Sequence, residues 1–238
     1  MNIKKQTLLP GLKAQLKFLR NNVSPVPENI LVIGAASEWI AAELARRPDK
    51  NVNLIVGDYE SLINSKLILG EESSVRTSLM DFEITDFEKE SFDLVYAQAS
   101  VSLTNRNKIV KEIKRILKPG GYFCVGEIVS LKKEVPAFVS DVYDSSDLLP
   151  LFIDELEKYY NERKFEIVAR QNLSETLKEY YVQCSLLLKE KTDDLTDREK
   201  SYYKKLLNKV SHESNVYLKL GGDRFIGFAA LLLRKGWN

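Results

Sequence analysis

Small and acidic residues follow two neighbouring apolar runs of this chain. Gly34, Ala35 and Ala36 come directly after the first run, and Asp58 follows the second, 24 positions after Gly34. A tight turn of small residues that opens a helix lets the backbone approach a ligand closely, and an acidic residue at this offset accepts hydrogen bonds from ribose hydroxyls in nucleotide sites. These residues therefore predict a nucleoside-type site.

Two further runs end in residues that can contact a ligand. In open α/β sheets, ligands bind beyond the carboxyl ends of the strands, where the strand order reverses. The residues just after each run are therefore expected to line one site. Besides the residues already named, these are Tyr59, Asp81, Phe82, Gln98, Ala99 and Ser100.

The elements that must position these residues alternate along the chain. From Asn29 onward, short apolar runs are separated by helical patterns over residues 37–47 and 106–117, which is typical of βαβ units around a parallel sheet. The fold class predicted is α/β, a Rossmann-like, mostly parallel sheet with flanking helices and a helical cap inserted before the C-terminal strand. The runs are residues 30–33, 52–56, 92–96, 122–128, 165–169 and 225–233, with a weaker one at 74–78.

The chain is expected to form a single domain. Residues 1–28 predict an N-terminal helix and linker, residues 29–130 the ligand-binding core, and residues 223–238 the C-terminal strand. Residues 131–222 are helical and charged apart from one core strand near 165–169, and we interpret them as the cap.

Composition excludes several classes of protein. The 238 residues carry a net charge of +1, which gives little attraction for nucleic acid, and the longest apolar runs are too short to span a membrane. Two cysteines and one histidine predict neither a disulfide scaffold nor a metal site. The first ten residues lack a signal-peptide pattern, so the expected compartment is the cytoplasm.

Two tracts carry a resemblance to a known family. Residues 91–96 read SFDLVY and residues 112–123 read EIKRILKPGGYF. With them, residues 29–128 resemble the class I S-adenosylmethionine-dependent methyltransferases, in a form close to the branch that includes quinone-biosynthesis enzymes. The resemblance implies S-adenosylmethionine as cofactor: residues 34–36 would approach its methionyl part, Asp58 its ribose and Asp81 with Phe82 its adenine. Residues 98–100 would line the cofactor at the switch point.

The first glycine motif departs from the family pattern. Of its usual acidic and glycine positions, which here are Val32, Gly34, Ala36 and Glu38, only Gly34 matches. Glu38 brings a carboxylate to a helix N-terminus where the cofactor's carboxylate would approach, which predicts weaker binding; the alternative is that it compensates the helix dipole. A methyltransferase-like binding or scaffold protein without activity is therefore the alternative function.

A second alternative is a short-chain dehydrogenase. Tyr160 and Lys164 have the Tyr-x-x-x-Lys spacing of such enzymes, but Tyr160 lies about 30 residues beyond the strand that should supply the partner serine. We therefore place this alternative last.

The acceptor is expected to be a small, partly apolar molecule held by the cap. The residues predicted to contact it are Glu127, Phe138 and Tyr143, with the tyrosine doublets at 159–160, 180–181 and 202–203 nearby. Methyl transfer from a sulfonium needs positioning more than a nucleophile, so no catalytic residue is assigned; Glu127, Asp141, Tyr143 and His212 are the available bases.

Overall fold

Strands and helices alternate around one mixed sheet. The computed structural model describes residues 8–187, 201 and 210–237, and within them eight strands share a sheet in the order β3-β2-β1-β4-β5-β8-β7, with β6 paired to β5. The pairs among β1 to β5 are parallel, and β8 runs antiparallel to both of its neighbours. The order reverses between β1 and β4, so the carboxyl ends of these two strands form the switch point.

The observed strands confirm the predicted runs. The apolar runs form strands because continuous Val, Ile and Leu residues suit a sheet that is covered on both faces. The two-residue strand β6 was not predicted, since it is too short to show a pattern. The bounds are β1 Asn29–Ile33, β2 Asn51–Val56, β3 Arg76–Leu79, β4 Phe92–Gln98, β5 Leu117–Ser130, β6 Leu151–Phe152, β7 Phe165–Asn172 and β8 Ile226–Lys235.

Helices cover both faces of the sheet. Alternate strand residues divide the core into two clusters, with Ile30 and Val32 on the first face and Leu31 and Ile33 on the second. The first face packs against α1, α2, α3, α5, α7 and a helical segment over residues 210–219, and the second packs against α4 and α6. The bounds are α1 Ala14–Asn22, α2 Glu38–Leu44, α3 Tyr59–Leu69, α4 Arg106–Ile116, α5 Ala137–Ser145, α6 Leu156–Glu162 and α7 Thr176–Leu187.

Part of the predicted cap packs on the sheet faces. Helix α6 packs against β7 on the second face, and α7 contacts β8 on the first. The loop after helix α5 pairs with the loop after β4 through the Leu103–Leu148 bridge, which places this end of α5 at the carboxyl edge of the sheet. Residues 202–203, the third tyrosine doublet, lie outside the described residues.

The N-terminal segment is anchored on the ends of β4 and β5. Buried Gln15 on α1 donates from Nε2 to the carbonyl oxygen of Ala97 at 3.0 Å. Gly126 on β5 is required at this contact, since a Cβ there would collide with Gln15 Oε1. Helix α1 therefore lies beside the switch point, within the N-terminal segment.

In the part of the chain that is described, no helix is long and apolar enough to cross a membrane.

Candidate functional site

The loops after β1 and β4 meet at the switch point. Gly34 has φ +114°, and a Cβ at this position would lie 2.9 Å from Ser100 Cβ. Ser100 Oγ donates to the carbonyl oxygen of Ile33 at 2.9 Å, which joins the two loops. Glycine is therefore required at position 34 both for its conformation and for the close approach.

Both loops hold an alanine in the left-handed region. Ala36 has φ 62° and Ala99 has φ 55°, a conformation that costs an L-residue roughly 1–2 kcal/mol. Strain of this kind concentrates at ligand sites, where the surrounding structure maintains it. Ser37 lies beside them, fully buried, and its Oγ has no hydrogen-bond partner. An orphaned polar atom next to two strained residues fits a loop shaped for a ligand.

A groove lies at the ends of β2 and β3, on the same carboxyl edge of the sheet as these loops. It has a volume of about 630 Å³ and opens to solvent. Predicted residues Asp81 and Phe82 line it, and Tyr59, at the start of α3 after β2, is 68% exposed. The remaining lining residues are Gly57, Leu79, Met80, Glu83, Ile84, Asp86 and Asn105. A groove this size with an aromatic wall and carboxylates can hold a nucleoside.

Asp58 lies at the end of β2 as predicted, and it also caps α3. Its Oδ1 accepts from the Ser61 backbone N–H at 2.8 Å, and its Oδ2 accepts from Ser61 Oγ at 2.6 Å. The side chain is exposed, and each carboxylate oxygen can accept more than one hydrogen bond. The cap therefore fixes the carboxylate without using all of its capacity.

Gln98 does not present its side chain to the groove. Its Nε2 donates to the carbonyl oxygens of Pro10 at 2.7 Å and Leu12 at 2.9 Å, and its Oε1 accepts from Tyr96 Oη at 2.6 Å. The side chain thus ties the N-terminal segment to the switch point. The prediction that Gln98 contacts a cofactor therefore remains open only for its backbone.

Glu38 is turned away from the loop surface. It is 4% exposed, and its Oε1 accepts from Ser65 Oγ on α3 at 2.5 Å. Burial raises the pKa of this carboxyl, while the Ser65 hydrogen bond lowers it. The predicted obstruction at the helix N-terminus is therefore not seen: the side chain fills the space between α2 and α3.

We expect Glu38→Gln to weaken the pH dependence of stability. The folded-state pKa of Glu38 is raised, so its contribution is fully present below about pH 4.5, the ordinary pKa, and is lost as pH rises through the folded-state pKa. Glutamine does not ionise, so the stability of Glu38→Gln should fall less than that of the parent as pH rises. Urea unfolding between about pH 4 and pH 8 measures the difference, with the exposed Glu28→Gln as control. An unchanged slope in Glu38→Gln would contradict this assignment.

Glu127 lies in the core. It is fully buried, and its Oε2 accepts from Arg106 Nε at 2.9 Å and Ser102 Oγ at 3.3 Å, while its Oε1 accepts from Tyr160 Oη. Arg106 also donates to the carbonyl oxygen of Leu149 at 2.6 Å. The placement does not support the predicted contact of Glu127 with an acceptor, and Tyr160, buried with it, is not placed as a dehydrogenase tyrosine.

Helix α5 carries the other two predicted acceptor residues. Phe138 packs edge-on against Phe225, with ring centroids 6.4 Å apart. Tyr143 is 8% exposed, and its hydroxyl makes no hydrogen bond of regular geometry, although the Ser130 hydroxyl lies close enough to interact with it. Burial raises the pKa of Tyr143 to about 12, so its hydroxyl is protonated at neutral pH. In contrast, the buried Tyr181 donates to Glu213 Oε2 at 3.2 Å.

Glu83 and Asn105 are groove residues that were not predicted. Asn105 is the N-cap of α4, and its Nδ2 donates to Glu83 Oε1 at 2.7 Å. An asparagine just before a helical pattern is an ordinary capping signal, so the sequence gives no reason to place it in a site. Among the described residues there is no cluster of acidic, cysteine or histidine side chains suited to a metal ion.

Together, the sheet order, the strained loops at the switch point and the groove on the same sheet edge are those of Rossmann-like nucleoside-binding proteins. Residues 31–125 match a family model described as a methyltransferase domain. This match agrees with the resemblance of the segment to the class I S-adenosylmethionine-dependent methyltransferases.

A curated relative supports the same family. The sterol 4-C-methyltransferase strm-1 of Caenorhabditis elegans is 26% identical over 180 residues, which cover 69% of this chain and 54% of the relative. The chain therefore spans about half the length of that relative.

Solved structures show the same fold. A putative sarcosine dimethylglycine methyltransferase from Galdieria sulphuraria has a TM-score of 0.72 at 15% identity, covering 94% of this chain and 85% of the other. The [4+2]-cyclase SpnF has a TM-score of 0.71 at 17% identity, covering 95% and 81%. At these identities the likeness concerns the fold alone.

Proposed function

We propose that this protein transfers a methyl group from S-adenosylmethionine to a small, partly apolar molecule. The observation that carries the proposal is the meeting of two strained loops at the switch point, joined through Gly34 and Ser100, on the same carboxyl edge of the sheet as a nucleoside-sized groove at the ends of β2 and β3. Residues 34–36 would hold the methionyl part, Asp58 the ribose, and Asp81 with Phe82 the adenine. The cofactor supplies the activated methyl group.

The acceptor would lie between the loop after β4 and helix α5. Tyr143 supports this, because its buried hydroxyl makes no regular hydrogen bond beyond its interaction with Ser130 and stays protonated at neutral pH, so it can donate to an acceptor oxygen. Phe138 and Phe225 supply apolar surface nearby. These features favour an apolar molecule with an oxygen function, and a sterol, the acceptor in the name of the nematode relative, has that chemistry.

The inactive alternative has lost its main support. It was motivated by Glu38, whose side chain is buried against α3 and leaves the loop surface to Ala35 and Ala36. The fold by itself does not decide the chemistry, as the cyclase among the structural neighbours illustrates. Methyl transfer therefore has to be measured directly.

Calorimetric titration with S-adenosylhomocysteine and with adenosine tests the proposal. We expect S-adenosylhomocysteine to bind at least about tenfold more tightly, because the homocysteine part adds charge-assisted contacts with the backbone of residues 34–36. Transfer of labelled methyl from S-adenosylmethionine to a sterol or a phenol is the second readout. Equal affinities for the two nucleosides would refute the assigned role of the loop, and binding without transfer to any acceptor would favour the inactive alternative.

A further inference from the structure

Asn105 sits at the start of α4 without doing what an N-cap asparagine ordinarily does. Such a side chain normally accepts a hydrogen bond from a backbone N–H in the first turn. Here the Asn105 side chain makes no capping bond, and the residue lines the groove instead. The side chain is therefore available for a role other than helix capping.

A charged network fixes the orientation of the Asn105 amide. Its Nδ2 donates to Glu83 Oε1 at 2.7 Å, and Lys108 Nζ lies 2.8 Å from Glu83 Oε2. Because only the NH₂ end can donate to a carboxylate, this contact decides which atom of the amide is oxygen. Asn105 Oδ1 is left shielded from water with no hydrogen-bond partner. A shielded acceptor without a partner destabilises the protein until a donor reaches it.

Asp81 places a second acceptor in the same groove. Its Oδ1 accepts from the Glu83 backbone N–H at 2.8 Å, which holds the carboxylate in place. Glu83 thus contacts both residues, one through its side chain and one through its backbone. Glu83 therefore orients two hydrogen-bond acceptors in the groove, the amide oxygen of Asn105 and the carboxylate of Asp81.

The geometry points to Asn105 as a specificity-determining residue for the purine. Its Oδ1 accepts one hydrogen of the 6-amino group, while Asp81 accepts the other. This inference rests on the proposed function, since it assumes that the groove binds the adenine of the cofactor. It goes further by stating that the protein distinguishes a 6-amino from a 6-oxo purine, because an oxo group has no hydrogen to donate to either acceptor.

The experiment compares S-adenosylhomocysteine with S-inosylhomocysteine, its 6-oxo analogue, by calorimetry. We expect the wild-type protein to prefer the adenosyl compound by at least about tenfold. Asn105→Leu keeps the side-chain shape and removes the acceptor, so we expect this preference to fall by roughly three- to tenfold, mainly through weaker binding of S-adenosylhomocysteine. The remaining preference would come from Asp81.

Asn107→Leu is the matched control, since Asn107 lies on the same helix but accepts from Tyr159 Oη at 2.8 Å, outside the groove. It should leave the preference unchanged. If Asn105→Leu is too unstable for calorimetry, Asn105→Ala takes its place. Equal weakening of both nucleosides in the Asn105 variants would overturn the inference, and so would a wild-type protein that binds both equally. Failure of the wild type to bind S-adenosylhomocysteine would instead refute the proposed function, and this inference with it.

Discussion

Arg106→Met is expected to lower the free energy of unfolding by about 3–5 kcal/mol, because it leaves an uncompensated carboxylate in the core. The side chains of Arg106 and Glu127 are 4% and 0% exposed, and the guanidinium is the cationic partner of Glu127. The guanidinium also donates a hydrogen bond to the Leu149 carbonyl oxygen, which holds the loop after α5 in place. The substitution removes this hydrogen bond as well. Urea unfolding at neutral pH measures the change.

Two further variants separate the buried charge from general loss of packing. Adding Glu127→Gln to Arg106→Met removes the charge, so part of the lost stability should return. Lys158→Met breaks an exposed pair with Glu162, whose side chains are 76% and 60% exposed, and should change stability by less than about 1 kcal/mol. If the double variant is no more stable than Arg106→Met, the buried carboxylate is not the cause.

The sheet could be predicted from the sequence because its strands are continuous apolar runs with turns at their ends. Runs such as residues 30–33 and 225–233 favour strands covered on both faces, because of their length, their β-branched or aromatic residues and the turn residues beside them. The family resemblance indicated which residues would contact the cofactor at the switch point, which periodicity alone does not contain. Together they led to residues 34–36, 58 and 81–82, which follow β1, β2 and β3 at one edge of the sheet.

The orientation of single side chains could not be predicted. The sequence shows that Glu38 stands at the start of a helix, but only the packing of α2 on α3 brings Ser65 within hydrogen-bond distance and buries the carboxyl. In the same way, Glu127 and Tyr160 are far apart in sequence, and their contact depends on α6 packing over β5. The orientations of these side chains depend on contacts between residues that are distant in sequence, and no local sequence pattern predicts such contacts.

The left-handed alanines illustrate the same point. The sequence shows that Ala36 stands where the family pattern has a glycine, and only the structure shows that its φ is 62°, so that the strain is retained. Ala99, on the neighbouring loop, also lies in the left-handed region. Strain at two adjoining loops is a property of the folded site, and it argues for function more strongly than the residue types do.

Asp58→Ala is expected to weaken S-adenosylhomocysteine binding by about 1.5–3 kcal/mol, because it removes a charged acceptor for the ribose hydroxyls. Asp58 also caps α3 through Ser61, so the same change should lower the free energy of unfolding by about 1 kcal/mol. Calorimetry measures the first effect and urea unfolding the second.

Asp58→Asn separates these two roles of the carboxylate. Asparagine caps helices as well as aspartate does, so stability should stay within about 0.5 kcal/mol of the parent, while the loss of charge still weakens nucleoside binding. Ser61→Ala is the reciprocal control: it removes the hydroxyl that donates to Asp58 Oδ2 and keeps the carboxylate, so it should lower stability more than affinity. If Asp58→Ala and Asp58→Asn both bind S-adenosylhomocysteine as tightly as the parent, Asp58 is a helix cap alone, and the ribose must be held by another residue at the end of β2.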